Sequence, residues 1–140
     1  MTFPIWMLLG FALWTLAVLL FTVGVYRWSL ILTGRAEVKS FRADDVQGRD
    51  WYRRAMRAHA NCVENLPVFG VIVFALYAGG FAGPVINFLA ATVLGARICQ
   101  SVVHVALPQT NPIAFMRFLF FFTQLICFIG LGWIVIERGL

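Results

Sequence analysis

Three sets of polar side chains stand where a long apolar chain does not ordinarily keep them. On residues 50–64, Asp50, Arg53, Arg54, Asn61 and Glu64 fall within about 60° of Arg57 at roughly 100° per residue, so they form one helical stripe. His59 falls on the opposite face, where a structural histidine is the ordinary reading. On residues 97–104, Gln100, Ser101 and His104 share a face with Arg97, deep inside an apolar run. The third set is sparse: Arg117 and Gln124, seven residues apart and on one face. Charges near a bilayer centre cost about 2.5–3.5 kcal/mol each on insertion scales, so such residues are usually paired or functional. Plainer readings stand beside the functional ones. Arg53 and Arg54 can snorkel to lipid headgroups, Arg97 can be a helix–helix strut, and Gln124 an interhelical hydrogen bond. Arg117 can be an interfacial anchor.

Taken together, these residues describe a basic cleft with arginines, amide donors and one acid at its floor. Guanidinium forks match carboxylates, and Glu64 can receive an ammonium. The ligand such a cleft suits is small, zwitterionic and mainly anionic, and neighbouring apolar helix surfaces would admit a lipophilic second molecule from the bilayer. The three cysteines, Cys62, Cys99 and Cys127, are widely spaced inside apolar patterns. They give neither a disulfide framework nor a metal site.

Long helices must carry these stripes. The 140 residues are 61% hydrophobic and 12% charged, against about 25% charged in ordinary soluble domains, and mean hydropathy is +0.86. Too little polar surface exists to cover a soluble core. A soluble enzyme, a nucleic-acid-binding module and a disulfide scaffold are excluded. A spanning helix needs about 20 largely apolar residues, and four stretches meet that length. The expected fold is an all-α membrane protein, a four-helix bundle in one domain, 1–140. Its helices are expected at about 4–33, 51–78, 84–107 and 112–137. Asp50 is read as the N-cap of the second, and Pro67 should disturb its hydrogen bonding. The first apolar run is longer than a signal-peptide core and is expected to remain as a membrane helix.

The loop at 34–50 is the one hydrophilic segment. Seven of the eleven basic residues lie between Arg35 and Arg57, which places this loop in the cytoplasm by the positive-inside rule. Four spans then put both termini outside. Glu64 lies 13 residues into the second helix and Arg97 about 10 from the inner end of the third, so both sit roughly 15–20 Å from the same surface. Opposite charges at one depth predict a Glu64–Arg97 ion pair.

The segment Arg57–Phe69, RAHANCVENLPVF, resembles the second-helix signature of the MAPEG proteins, membrane-associated proteins in eicosanoid and glutathione metabolism. Arg57, Ala58, His59, Asn61, Glu64, Pro67 and Phe69 match the pattern R-A-H-x-N-x-x-E followed by proline and an aromatic. Length, four spans and the Gly95–Arg97 segment agree, so the resemblance covers essentially the whole chain. It implies a homotrimer that binds glutathione between subunits. It also implies that Arg57, Asn61 and Glu64 contact glutathione, with Arg35 in the place of a first-helix arginine from the neighbouring subunit. Gln100 and His104 stand where the family has polar or tyrosine contacts.

The sequence departs from the family at the fourth helix. Catalytic members carry an arginine at its start, and an ungapped alignment places Ala114 there. Arg117, about one turn later, is the expected substitute, with Ser101 or His104 as alternative hydrogen-bond donors to the thiolate. The implied activity is a glutathione transferase or peroxidase acting on lipophilic electrophiles, with glutathione as co-substrate and no metal. A cationic neighbour lowers a thiol pKa from about 8.5 and raises the thiolate fraction. Two rival readings remain. A non-catalytic lipid-binding or scaffold protein fits the missing arginine. A channel fits the stripes less well, because the outer halves of the second and third helices are nearly uncharged. A bacterial inner membrane is the expected location, since no eukaryotic retention signal is evident.

Overall fold

Apolar length sets the architecture. The computed structural model describes residues 1–42 and 44–140, and among them four helical segments are long and apolar enough to cross a membrane. The first comprises α1 (Phe3–Val18), a π-helical turn (Leu19–Gly24) and α2 (Val25–Leu32). The others are α3 (Asp50–Ala78), α4 (Pro84–Ala106) and α5 (Asn111–Gly139), and no strand occurs among the described residues. The segment 33–49 carries only a short 3-10 turn, Val38–Ser40.

The first span is not the uniform helix expected at 4–33. At Leu19–Gly24 the backbone widens into the π form, and Thr22 Oγ donates to the Val18 carbonyl. Gly24 eases the turn: a Cβ there would lie 3.2 Å from the Leu19 carbonyl oxygen, closer than an ordinary contact. Asp50 also departs from expectation. It sits in the first turn of α3 with Arg49 as the N-cap, and its carboxylate pairs with Arg54 one turn on. A negative charge in a first turn faces the free N–H groups of the helix end. Across Pro67 helix α3 remains continuous, although proline has no N–H to offer the Val63 carbonyl.

α3 and α4 pack against each other, with α1 against both and α5 mainly against α4. The apolar core fills the half of the bundle distant from the basic loop. Phe11, Phe69, Val73, Leu76, Ile86, Val93, Phe128 and Leu131 are buried there, and the Phe69 ring lies 5.8 Å from Phe11 and 5.9 Å from Phe128. A smaller cluster of Val23, Tyr52 and Ala55 closes the loop end. Between them the interior is polar, with Arg97, Gln100, Ser101, His104 and Gln124 all buried. The bundle thus keeps its polar side chains on the loop side of its hydrocarbon core.

Candidate functional site

Helix α3 divides its faces cleanly. Ala55, Ala58 and Cys62 are buried against the bundle. Arg53, Arg57 and Glu64 are exposed and Asn61 is half-buried. The motif residues therefore point away from the chain's own core, at depths where a lone subunit would present them to lipid. Arg54 is the exception. Its Nε and Nη2 donate to the Val105 carbonyl at 3.3 and 3.2 Å, and it pairs with Asp50. It thus caps the end of α4 instead of snorkelling to headgroups.

The polar face of α4 points inward. Arg97 is 1% exposed, with Nε and Nη2 lacking partners. Its guanidinium carbon lies 5.5 Å from the centre of the Phe11 ring. The predicted Glu64–Arg97 ion pair does not form within the chain: among the described residues no pair joins them within 4.0 Å. The reason is facing: Arg97 is buried inside the bundle, whereas Glu64 is exposed on the outside of α3.

Two further sequence assignments change. Ser101 Oγ donates to the Arg97 carbonyl at 2.8 Å and lies 3.5 Å from Cys62 Sγ. Its proton is committed to its own helix, so it is not placed as a thiolate donor. Gln100 Nε2 donates to the Arg117 carbonyl at 3.2 Å, and its Oε1 accepts from Gln124 Nε2 at 3.1 Å. Both ends of this amide tie α4 to α5, which leaves only its second hydrogen and second lone pair for a ligand.

His104 is 2% exposed with neither ring nitrogen partnered. The charges acting on it come from Arg117 on α5 and from Arg57 and Arg54 on α3, and Arg57 also acts on Arg117. Arg117 is half-buried, and its Nε is buried without a partner. Two helices packed against the α4 end thus bring guanidinium charge near His104, and none of the three arginines hydrogen-bonds it. No carboxylate lies within ion-pair distance of Arg57 or Arg117 among the described residues. A cavity of about 200 Å³ opens at this end, lined by Asp50, Arg53, Arg54, Arg57 and Gln109. Among the described residues no three His, Cys, Asp or Glu side chains converge. The donors present are guanidinium, imidazole and amide groups, which suit an anion.

Arg35 lies apart. It is exposed beyond α2 and lines a shallow surface depression with Gly34, Glu37 and Lys39. Within one chain it does not join the cleft lined by Arg57. Two participants escaped the sequence reading. Gln109 belongs to a turn, and a lone amide in a Pro-bounded turn carries no signal of a ligand. The other is Arg27, whose Nε donates to Tyr52 Oη at 2.9 Å and whose guanidinium lies over the Phe41 ring at 5.3 Å. Tyr26 stacks on Tyr52 with ring centres 4.2 Å apart. This aromatic clasp fixes the start of α3, and with it the position of Arg53 and Arg57.

The fold and site define an integral, multi-pass helical membrane protein with an arginine-lined cleft at one end of its bundle. The family model of the MAPEG family matches residues 5–136, and the chain belongs to that family. No curated protein and no solved structure matches it.

Proposed function

We propose that this protein binds glutathione and transfers it to lipophilic electrophiles. The observation that carries the reading is the R-A-H-x-N-x-x-E motif on α3, whose Arg57 lines the cleft with Arg53, Arg54 and Gln109 and has no carboxylate partner among the described residues. Charged donors without a carboxylate of their own call for an anionic ligand. In this reading Arg57 takes a glutathione carboxylate in a forked contact, Asn61 supplies an amide, and Glu64 receives the ammonium. Arg117 stands over the sulfur, and His104 offers it a hydrogen bond. The chemical step needs no protein nucleophile. The thiolate sulfur forms a bond to the electrophilic carbon, and the leaving group departs with the bonding pair.

The site is proposed to be completed in a homotrimer. The exposed stripe Arg53–Arg57–Glu64 then faces a neighbouring subunit, whose Arg35 reaches the ligand from the loop. The trimer rests on the family resemblance, and insertion costs favour covering the stripe, since an exposed carboxylate and guanidiniums are poorly tolerated by lipid. The basic loop is proposed to face the cytoplasm, in a bacterial inner membrane. Native mass spectrometry in mild detergent should give a trimer; monomer alone would count against this arrangement.

A second reading is supported by Ala114, which stands where catalytic relatives are expected to carry arginine. It makes the protein a ligand- or lipid-binding member without turnover. Calorimetry with glutathione, paired with conjugation of an aryl halide, separates the two. Binding with turnover supports the transferase. Binding without turnover supports the second reading, and absence of both overturns the glutathione assignment.

A further inference from the structure

α1 and α4 do not stay in contact along their whole length. They approach closely at Gly10, where a Cβ would lie 2.9 Å from Leu94 Cδ2. Toward the basic loop, a groove of about 260 Å³ opens between them. Trp14, Ala17 and Phe21 form one wall and Val102, Val105 and Ala106 the other. The π turn contributes to the first wall, because Phe21 and Thr22 lie within it. π turns recur at functional sites in helices, and the proposed glutathione chemistry makes no use of this one.

The lining decides what the groove can hold. Only Ser101 and Thr22 bring hydroxyls to it. Each donates to a carbonyl of its own helix, Ser101 to Arg97 and Thr22 to Val18. The one lining donor without a partner, Trp14 Nε1, is itself buried, and the other lining side chains are apolar, so the groove favours hydrocarbon. Trp14 to Thr22 spans about 12 Å along the helix, against roughly 15 Å for the hydrocarbon of one leaflet. Both walls belong to spans that run toward the loop end, so the groove lies in a single leaflet. Its lining shares no residue with the cleft, which is formed by Asp50, Arg53, Arg54 and Arg57 of α3 and by Gln109. At the loop end of the α4 wall, the Val105 carbonyl is held by the Arg54 guanidinium. Arg54 is paired with Asp50, so a polar, ion-paired rim stands where a lipid headgroup would emerge.

We propose that this groove is a binding site for one acyl chain of a bilayer phospholipid from the loop-side leaflet. The site depends on the membrane environment and not on the glutathione reading. The test uses the full-length protein with Trp6, Trp28, Trp51 and Trp133 replaced by phenylalanine, leaving Trp14 as the only tryptophan. In detergent, phosphatidylglycerol brominated at mid-chain should quench Trp14 saturably at low lipid mole fraction. Ala106→Phe, on the exposed rim, and Ala17→Phe should remove the saturable component by filling the groove. Glutathione binding by either variant is measured in parallel, so its loss or survival is read separately. A matching Trp6-only protein reports bulk lipid, because Trp6 is exposed on the outer part of α1. Quenching of Trp14 that rises without saturation, or that survives both filling substitutions, would overturn the site. So would quenching by a brominated free fatty acid but not by the phospholipid, which would assign the groove to a soluble amphiphile. Absence of quenching, with a disulfide forming between copies through cysteines placed at Val102, would instead assign it to a second copy of the chain.

Discussion

The polar stripes of α3 and α4 look alike as sequence and behave as opposites in the structure. Each places arginine, amide and a further polar group on one face of an apolar helix. The α4 stripe is turned inward, where Gln100 and Gln124 join helices and Arg97 lies against Phe11. The α3 stripe is turned outward, with Arg53, Arg57 and Glu64 exposed. One stripe organises the chain's own bundle, while the other waits for something outside it. Disturbing α4 should therefore register first in stability, and disturbing α3 first in ligand binding.

The largest effect is expected on the outward stripe. Arg57→Ala removes a charge-assisted contact worth about 1.5–3 kcal/mol, which is roughly a 10- to 100-fold loss of glutathione affinity. Its melting temperature should hardly move, because Arg57 is exposed and unpaired among the described residues. A large fall in melting temperature with unchanged affinity would reverse the roles assigned to the two stripes.

Arg117 tests where the stripes meet. Its guanidinium should favour the bound thiolate, so Arg117→Ala should raise the pH of half-maximal conjugation by about one unit. Turnover at neutral pH should fall about tenfold, because less thiolate is present below the higher pKa. Glutathione affinity should change less than in Arg57→Ala. An unchanged rate and pH profile would return Arg117 to the role of interfacial anchor.

Why one stripe was easier to read than the other follows from what a periodicity contains. Spacing at 100° per residue placed Asn61 and Glu64 beside Arg57, and Ser101 and His104 beside Arg97. Apolar run lengths likewise gave four spans. Helical phase is a relation within one helix, however, and depth is a relation to the bilayer. Neither fixes which way a face turns. The Glu64–Arg97 pair follows from opposite charge at one depth, and it fails on facing. The π turn at Leu19–Gly24 is hidden for another reason: LLFTVG has the composition of any membrane helix, and the Thr22 hydroxyl bond to the Val18 carbonyl is one that many straight membrane helices also make. The hydroxyl of Ser101 was misjudged because its nearest acceptor is the Arg97 carbonyl of its own helix, a contact that side-chain spacing does not display.

The inward stripe is tested by its amides. Gln100→Leu leaves Gln124 Nε2 with only the Phe120 carbonyl and frees the Arg117 carbonyl from its side-chain partner. Gln124→Leu leaves Gln100 Oε1 buried without its donor. Each should lower stability by about 1–3 kcal/mol, the usual cost of stranding a buried polar group. The double leucine variant should lose less than the sum, since both ends of the shared bond are removed together. Reversible unfolding in mixed micelles measures all three. Strict additivity would mean that the two amides are not coupled.

The smallest effect is expected outside the membrane, at Arg42 and Asp44. Arg42 Nε and Nη2 meet the two Asp44 carboxylate oxygens at 3.0 and 2.5 Å, and this hydrogen bonding holds the Asp44 pKa below its ordinary value. A carboxylate with a depressed folded pKa contributes stability that is present above the unfolded value, about 3.9. That contribution is lost as pH falls through the lower folded value. Both side chains are largely exposed, and water and salt screen such a pair. At neutral pH Arg42→Ala should therefore leave melting temperature and glutathione affinity unchanged. Its signature should be confined to the carboxyl NMR titration of Asp44, whose midpoint should rise toward the ordinary aspartate value. A forked ion pair would then carry almost no weight in this loop, because water and salt screen it. A marked loss of stability at neutral pH would show instead that the loop is held against the bundle through this pair. The division between the two stripes would then extend beyond the membrane to the segment that joins the first two spans.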